Sequence, residues 1–277
     1  MERGQLAHVM ATRLRRDENA LRQTFAAAQP TRHVVVDDAI PDAIAQEISR
    51  RFPQQAQLMR RATLRERKHV GVRVEDYEPL VREALLALLE APVLAAVGAI
   101  TGIAGLRADP TLYASGVSVM ARGDFLNPHI DNSHDGDNKL FRVLNLLLYV
   151  SPAWSAECGG SLELWDPAVR VATPIEARCG RLVIMQTDRT SWHSVNAVSS
   201  ERPRQCLSSY FFAPEPADGG RYRHVTTFTG RPEQPLRRTF LNAWDGCVLN
   251  AVGRTLPALT RRTRHRRSSD GENSADT

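Results

Sequence analysis

The segment NPHIDNSHDGD (127–137) gathers two histidines and three aspartates within eleven residues. His129 and Asp131 stand two apart. On a strand, residues i and i+2 point to one face, so an imidazole nitrogen and a carboxylate oxygen can reach a single ion. A third donor is available in His193, within the β-type run SWHSV (191–195). Two imidazoles and one carboxylate on one side of a divalent metal leave neighbouring positions open, a donor set suited to non-haem Fe(II). Each residue also has a plainer reading: Asp131-Asn132 as an Asx-turn, His193 as a satisfied core histidine. The remaining acids fall partly on the spacing of a calcium loop, with Asp131, Ser133, Asp135 and Gly136 at its positions 1, 3, 5 and 6. Position 12 would be Arg142, where calcium needs a bidentate glutamate. His134, Asp135 and Asp137 therefore read as a polar loop at the mouth of the site, with His134 a candidate substrate contact.

Eight short β-rich runs separated by Gly, Pro, Asn and Asp must position these residues: 112–120, 125–131, 141–150, 160–166, 169–174, 180–187, 191–198 and 204–212. Even spacing of this kind predicts a jelly roll, two sheets face to face. In the last run, RQCLSSYFF, alternation puts Arg204, Cys206, Ser208 and Tyr210 on one face and Leu207 and Phe211 on the other. A small polar face around one arginine suits a pocket floor, where the guanidinium can grip a carboxylate with two bonds. Arg202 is the competitor, but it precedes Pro203 and reads as a turn residue. The first 110 residues read as mostly helical, over 5–28, 41–52 and 76–100, with one strand at HVVVDDAIP (33–41). The expected class is α+β, a β core buttressed by N-terminal helices. The expected division is a helical support over 1–110, a catalytic core over 111–214, an extension over 215–260 that packs on the core as lid or interface, and a basic disordered tail over 261–277.

Length and composition agree with a soluble domain. The chain has 277 residues, 42% of them hydrophobic, and a mean hydropathy of −0.33. No apolar run reaches the ~18 residues of a membrane span, and the N-terminus lacks the apolar stretch of a signal peptide. A cytoplasmic location is expected. The four cysteines (158, 179, 206 and 247) are scattered without a CxxC pair, which argues against zinc ribbons and disulfide frameworks. The net charge of +5 owes +3 to the residues from Arg254 onward. That tail lacks interleaved aromatics and no nucleic-acid motif is present, so a nucleic-acid partner is not expected.

In order along the chain, GDFLNPHIDN, LNLLLYV, CGGSLELWD, GRLVIMQT, SWHSV and PRQCLSSYFF resemble the 2-oxoglutarate- and Fe(II)-dependent dioxygenases of the prolyl-4-hydroxylase-like branch. The resemblance covers 112–212. It implies a double-stranded β-helix, with Fe(II), 2-oxoglutarate and O2 as the chemistry's requirements. It makes His129, Asp131 and His193 the metal-binding and catalytic residues and gives Arg204 to the distal carboxylate of 2-oxoglutarate. Oxidative decarboxylation to succinate and CO2 would accompany substrate oxidation. Halogenating relatives lack the carboxylate, so Asp131 points to hydroxylation, while desaturation, cyclisation and epimerisation remain open. Many relatives carry a tyrosine on the preceding strand, where this chain has Met120. Asn145 and Tyr149 are the substitutes considered for that second cosubstrate contact. Arg122 and Trp165 join His134 as candidate substrate contacts. Trp192 and Trp154 read as core, and His224 as structural.

A rival from another class is a catalytically silent, cupin-like binding protein. Cupin sites use H-x-H with a glutamate, and a degenerate copy should lack a ligand or the arginine; here none is missing. The expected partner is a small molecule, with neither nucleic acid nor membrane, and the oligomeric state is left open, a homodimer being one option.

Overall fold

The computed structural model describes residues 1–236 except 72, 110 and 114. The basic tail, Cys247 and the end of the 215–260 extension lie outside the described residues. The N-terminal part begins with α1 (Arg3–Arg16) and α2 (Glu18–Ala27), where a single helix over 5–28 was expected. The break falls at Asp17, whose carboxylate accepts a 2.6 Å bond from Arg13 Nη1. α1 buries Leu6, Ala7, Met10, Ala11 and Leu14, a stripe at helical spacing. Then come β1 (His33–Val36), α3 (Asp42–Arg50), β2 (Met59–Ala62), β3 (Glu66–Val70), α4 (Pro79–Ala87), α5 (Ala91–Thr101) and β4 (Arg107–Ala108). α4 opens on proline, which gives up no needed donor there. α5 stops at Gly102, whose φ of +69° is the left-handed cap that favours glycine. α1 packs on α4 and α5.

All eight runs read as strands are strands: β5 (Gly116–Met120), β6 (Phe125–Ile130), β7 (Phe141–Tyr149), β8 (Leu162–Trp165), β9 (Ala172–Ile175), β10 (Leu182–Gln186), β11 (His193–Val195) and β12 (Arg204–Ala213). β13 (Thr227–Phe228) follows in the C-terminal extension. The strands form one curled antiparallel sheet ordered β1-β10-β7-β12-β5-β3-β6-β11-β8-β9, with β4 added to β12, β2 to β3 and β13 to β6. This is a jelly-roll, double-stranded β-helix architecture.

Two cores follow from strand alternation. One face of β7, β10 and β12 offers Leu146, Leu148, Leu182, Ile184, Leu207 and Phe211 to the helices. The opposite face offers Tyr149, Val183, Met185 and Cys206 to the barrel interior, where Met120, Leu162, Leu164 and Val195 meet them.

The region 1–110 does more than buttress. β1 extends one end of the sheet on β10, and β3 is inserted between β5 and β6, pairing His69 with Val119 and Glu66 with Leu126. The β2–β3 hairpin was not expected. ERKHV (66–70) is charged and lacks the apolar alternation that marks a half-buried strand; it is a strand because β2, β5 and β6 satisfy its backbone.

Candidate metal centre

His129 near the end of β6 and His193 at the start of β11 are direct cross-strand partners, with ring centroids 4.1 Å apart. Asp131 follows β6 by one residue. Its Oδ1 is 3.7 Å from His129 Nε2, and its Oδ2 is 3.7 Å from His193 Nε2. These gaps are too long for hydrogen bonds. One ligand atom from each of the three residues lies within 4.8 Å of the others, a spacing at which all three can share a cation. Both histidines are prepared for it by the same local device: Nδ1 faces the carbonyl two residues back, Asn127 O at 3.0 Å and Ser191 O at 2.9 Å. Nδ1–H then donates to the carbonyl and Nε2 keeps its lone pair toward the site, the usual support of a metal-ligating histidine.

The electrostatics agree. Burial, helped by neighbouring His193, pushes the His129 imidazole down to about 3, so it stays neutral. Burial acts to raise the Asp131 carboxyl, but Arg142 foremost, then His193 and His129, hold it at about 2, so it stays ionised. Asp131 Oδ2 is buried without a hydrogen-bond partner among the described residues. Two imidazoles with Nε2 turned inward and a carboxylate oxygen without a hydrogen bond fit a divalent metal.

Arg204 opens β12 opposite Met120 and is 3% exposed. Its Nε donates to Gly160 O at 2.6 Å, Nη1 lies 3.7 Å from Met120 Sδ, and the guanidinium sits 4.8 Å from the Tyr149 ring centre. Met120, at the position where a tyrosine was expected, thus flanks this arginine without supplying a hydroxyl. The Tyr149 hydroxyl and Asn145 Oδ1, both on the interior face of β7, are buried and lack hydrogen-bond partners among the described residues. Arg202 is an exposed turn residue bonded to Pro152 O and Ala153 O.

Two of the candidate substrate contacts are elsewhere. Arg122 is 65% exposed and paired with Glu201 outside the barrel. Trp165 faces away from the interior, because Leu162 and Leu164 on the same strand face inward; its Nε1 donates to Ser194 Oγ at 2.8 Å. His134 borders the site, half-buried, 2.7 Å from Ser133 Oγ and tilted against Phe141. Asp135 holds its loop by accepting from the Lys139 and Leu140 amides.

Other neighbours of the metal centre were not foreseen. Arg142 Nη1 lies 3.4 Å from Asp131 Oδ2. Its signal was one charged residue inside the apolar run FRVLNLLLY. The segment 222–231 crosses the site as a strap. Phe228 stacks on His129 at 5.1 Å, Thr229 N donates to Pro128 O, and His224 and Ser133 exchange backbone and hydroxyl bonds. Arg231 anchors the strap through a 2.7 Å ion pair with Glu163. These contacts join residues 68 to 101 positions apart, and nothing local in the sequence announces them.

Residues 115–212 match the model of the 2OG-Fe(II) oxygenase superfamily. No curated protein matches the chain. Among solved structures, a prolyl-4-hydroxylase of Pseudomonas putida aligns with a TM-score of 0.51 at 17% identity, over 70% of this chain and 97% of that one. A Trichoplax adhaerens prolyl hydroxylase, solved with a peptide fragment of hypoxia inducible factor, gives 0.51 at 18%, over 72% and 92%. The epimerase SnoN, solved with Fe3+, alpha ketoglutarate and nogalamycin RO, gives 0.53 at 14%, over 83% and 91%. Members of the superfamily work with Fe(II), 2-oxoglutarate and O2. The match to the 2OG-Fe(II) oxygenase superfamily thus falls on residues 115–212, the stretch that holds the candidate metal site of His129, Asp131 and His193.

Proposed function

We propose that this protein hydroxylates an unactivated C–H bond of a small molecule, consuming 2-oxoglutarate and O2 and releasing succinate and CO2. The observation that carries the reading is the complete triad, with both imidazoles turned toward Asp131 by backbone carbonyls. His129, Asp131 and His193 would hold the iron on one side and leave its other positions open. When bound, iron and 2-oxoglutarate together supply the oxidant that removes a hydrogen from carbon and returns a hydroxyl. Arg204 would take the distal carboxylate of 2-oxoglutarate, with the buried Tyr149 hydroxyl and Asn145 amide as further polar contacts. Met120, Tyr149, Val183, Met185 and Cys206 give that end of the barrel its apolar wall. A compact substrate is favoured because β3 and β13 occupy the edge of β6 opposite β11, where an extended peptide would otherwise pair.

Anaerobic titration of metal-free protein with Fe(II) and then 2-oxoglutarate should produce a visible charge-transfer band. His193→Ala should abolish the band, and succinate release should then identify substrates. A folded wild-type protein that forms no band would sink the oxygenase reading and favour a silent binding protein.

A further inference from the structure

Arg142 is 2% exposed, yet two of its three guanidinium nitrogens, Nε and Nη2, have no hydrogen-bond partner among the described residues. Leaving buried charged donors unsatisfied is unfavourable, and such groups call for an explanation. Its orientation is built in. β7 and β12 run in register from Tyr149 back to Leu144, then slip, so that Phe211 faces Leu144 and Phe212 faces Arg142. Val143 and Leu144 both turn to the helix-side core across this bulge. The bulge reverses the alternation and aims Arg142 at the metal centre, a common use of bulges beside active sites. Tyr210 then holds the guanidinium face at 3.9 Å, with Tyr113 at 6.0 Å.

We propose that the substrate carries a carboxylate and docks it on the Nε–Nη2 edge of Arg142, next to the metal. Nε–H and one Nη2–H point the same way and form a fork that matches two carboxylate oxygens. The third nitrogen, Nη1, is the one that faces Asp131. The Tyr210 ring confines approach to the guanidinium plane, which suits a flat carboxylate better than a tetrahedral phosphate. The surrounding charge helps: Lys68 acts on both His129 and Asp131, and Arg61 acts on Tyr210, with Glu66 between the two cations. The edge is separate from the cosubstrate arginine. Arg204 and Phe212, the partner of Arg142, stand eight residues apart on β12, roughly 26 Å at strand rise. Because Arg142 touches a metal ligand, the carbon oxidised lies within a few bonds of the acid group.

This inference rests on the oxygenase reading, and its test separates the two. Wild type is loaded anaerobically with Fe(II) and 2-oxoglutarate, and the visible band reports the oxygenase site. Straight-chain acids from butanoate to octanoate, their primary amides and the matching alkyl phosphates are then titrated by calorimetry. At least one acid should bind about tenfold or more tightly than its amide, as charge-assisted paired bonds imply. Arg142→Gln should erase that preference, while Arg142→Lys should keep part of it. The proposal is overturned if no acid outbinds its amide in wild type, if the phosphates outbind the acids, or if a folded Arg142→Gln protein keeps the wild-type preference for the acid. The wild-type comparison needs no variant to fold. If the band is missing, the same comparison on metal-free protein still judges Arg142 alone.

Discussion

Gly160 carries a role that a single methyl group can test. Its φ is +66°, and an added Cβ would lie 2.7 Å from Arg204 Cδ and 3.1 Å from Val198 Cγ2. Gly160→Ala therefore makes two demands. The left-handed backbone costs about 1–2 kcal/mol for a residue with a Cβ. In addition, Arg204 must withdraw by roughly 1 Å to regain ordinary carbon contact. That shift breaks the 2.6 Å bond from Nε to Gly160 O and misaligns the guanidinium with any carboxylate it holds. Losing one charge-assisted hydrogen bond is worth about 1.5–3 kcal/mol, so 2-oxoglutarate should bind roughly 10- to 100-fold more weakly. Gly102→Ala supplies the control. Its φ is +69°, and an added Cβ meets nothing within 4 Å. Both variants should lose thermal stability, by about 2–8 °C from the backbone cost alone, but only Gly160→Ala should lose cosubstrate affinity. The assay is the anaerobic Fe(II)–2-oxoglutarate titration with calorimetric unfolding alongside. Unchanged 2-oxoglutarate affinity in a folded Gly160→Ala protein would refute the placement of Arg204 in the cosubstrate pocket.

Arg231→Gln removes the ion-pair partner of the largely covered Glu163 carboxylate, which keeps only its bond from Ser194 Oγ, and the cost should stay below the ~3–5 kcal/mol of a fully buried pair broken from one side. Hydrogen exchange should quicken across 222–231 more than in β7 and β10; uniform exchange would show that Arg231 does not anchor the strap. Arg181 grips Asp37 with bonds of 2.6 and 3.0 Å and holds its carboxyl below the usual range. The pair's contribution is present above the unfolded carboxyl's pKa and disappears as pH falls through the lowered folded value. Asp37→Asn should therefore differ from wild type in urea midpoint at pH 7 and match it once both are acid. With Asp37 half exposed, the difference should stay under about 1 kcal/mol, and a difference that grows on acidification would contradict the pairing.

What the sequence disclosed was whatever obeys simple periodicity. His129 and Asp131 are two apart on a strand, and alternation on β12 correctly separates Arg204, Cys206 and Tyr210 from Leu207 and Phe211. The bulge at Val143 defeats that rule, so Arg142, which strict alternation assigns to the helix side, was left out of the site. β3 escaped because Glu66, Arg67 and Lys68 look like a solvated stretch, although Glu66 and Lys68 are turned toward the metal centre and largely covered. Arg122 was drawn in by sequence proximity, and Trp165 by lying on a strand beside the pocket. Exposure of the first and the outward face of the second decide against both.

The insertion of β3 and the docking of β1 also bear on how the chain is made. Segment 115–212 alone would leave β5 and β6 without the strand that joins them, and β6 carries His129. The β1 edge emerges before the strand it pairs with, for its partner Met185 follows His33 by 152 residues. At ~5–20 residues per second that is a wait of roughly 8–30 s. Pairing across such separations is slow even in a finished chain. During the wait the helical layer can already form from local contacts, with α2 beside β1. On this schedule the iron site is assembled late, once β11 and the strap beyond β12 have left the ribosome, and metal loading follows synthesis rather than guiding it.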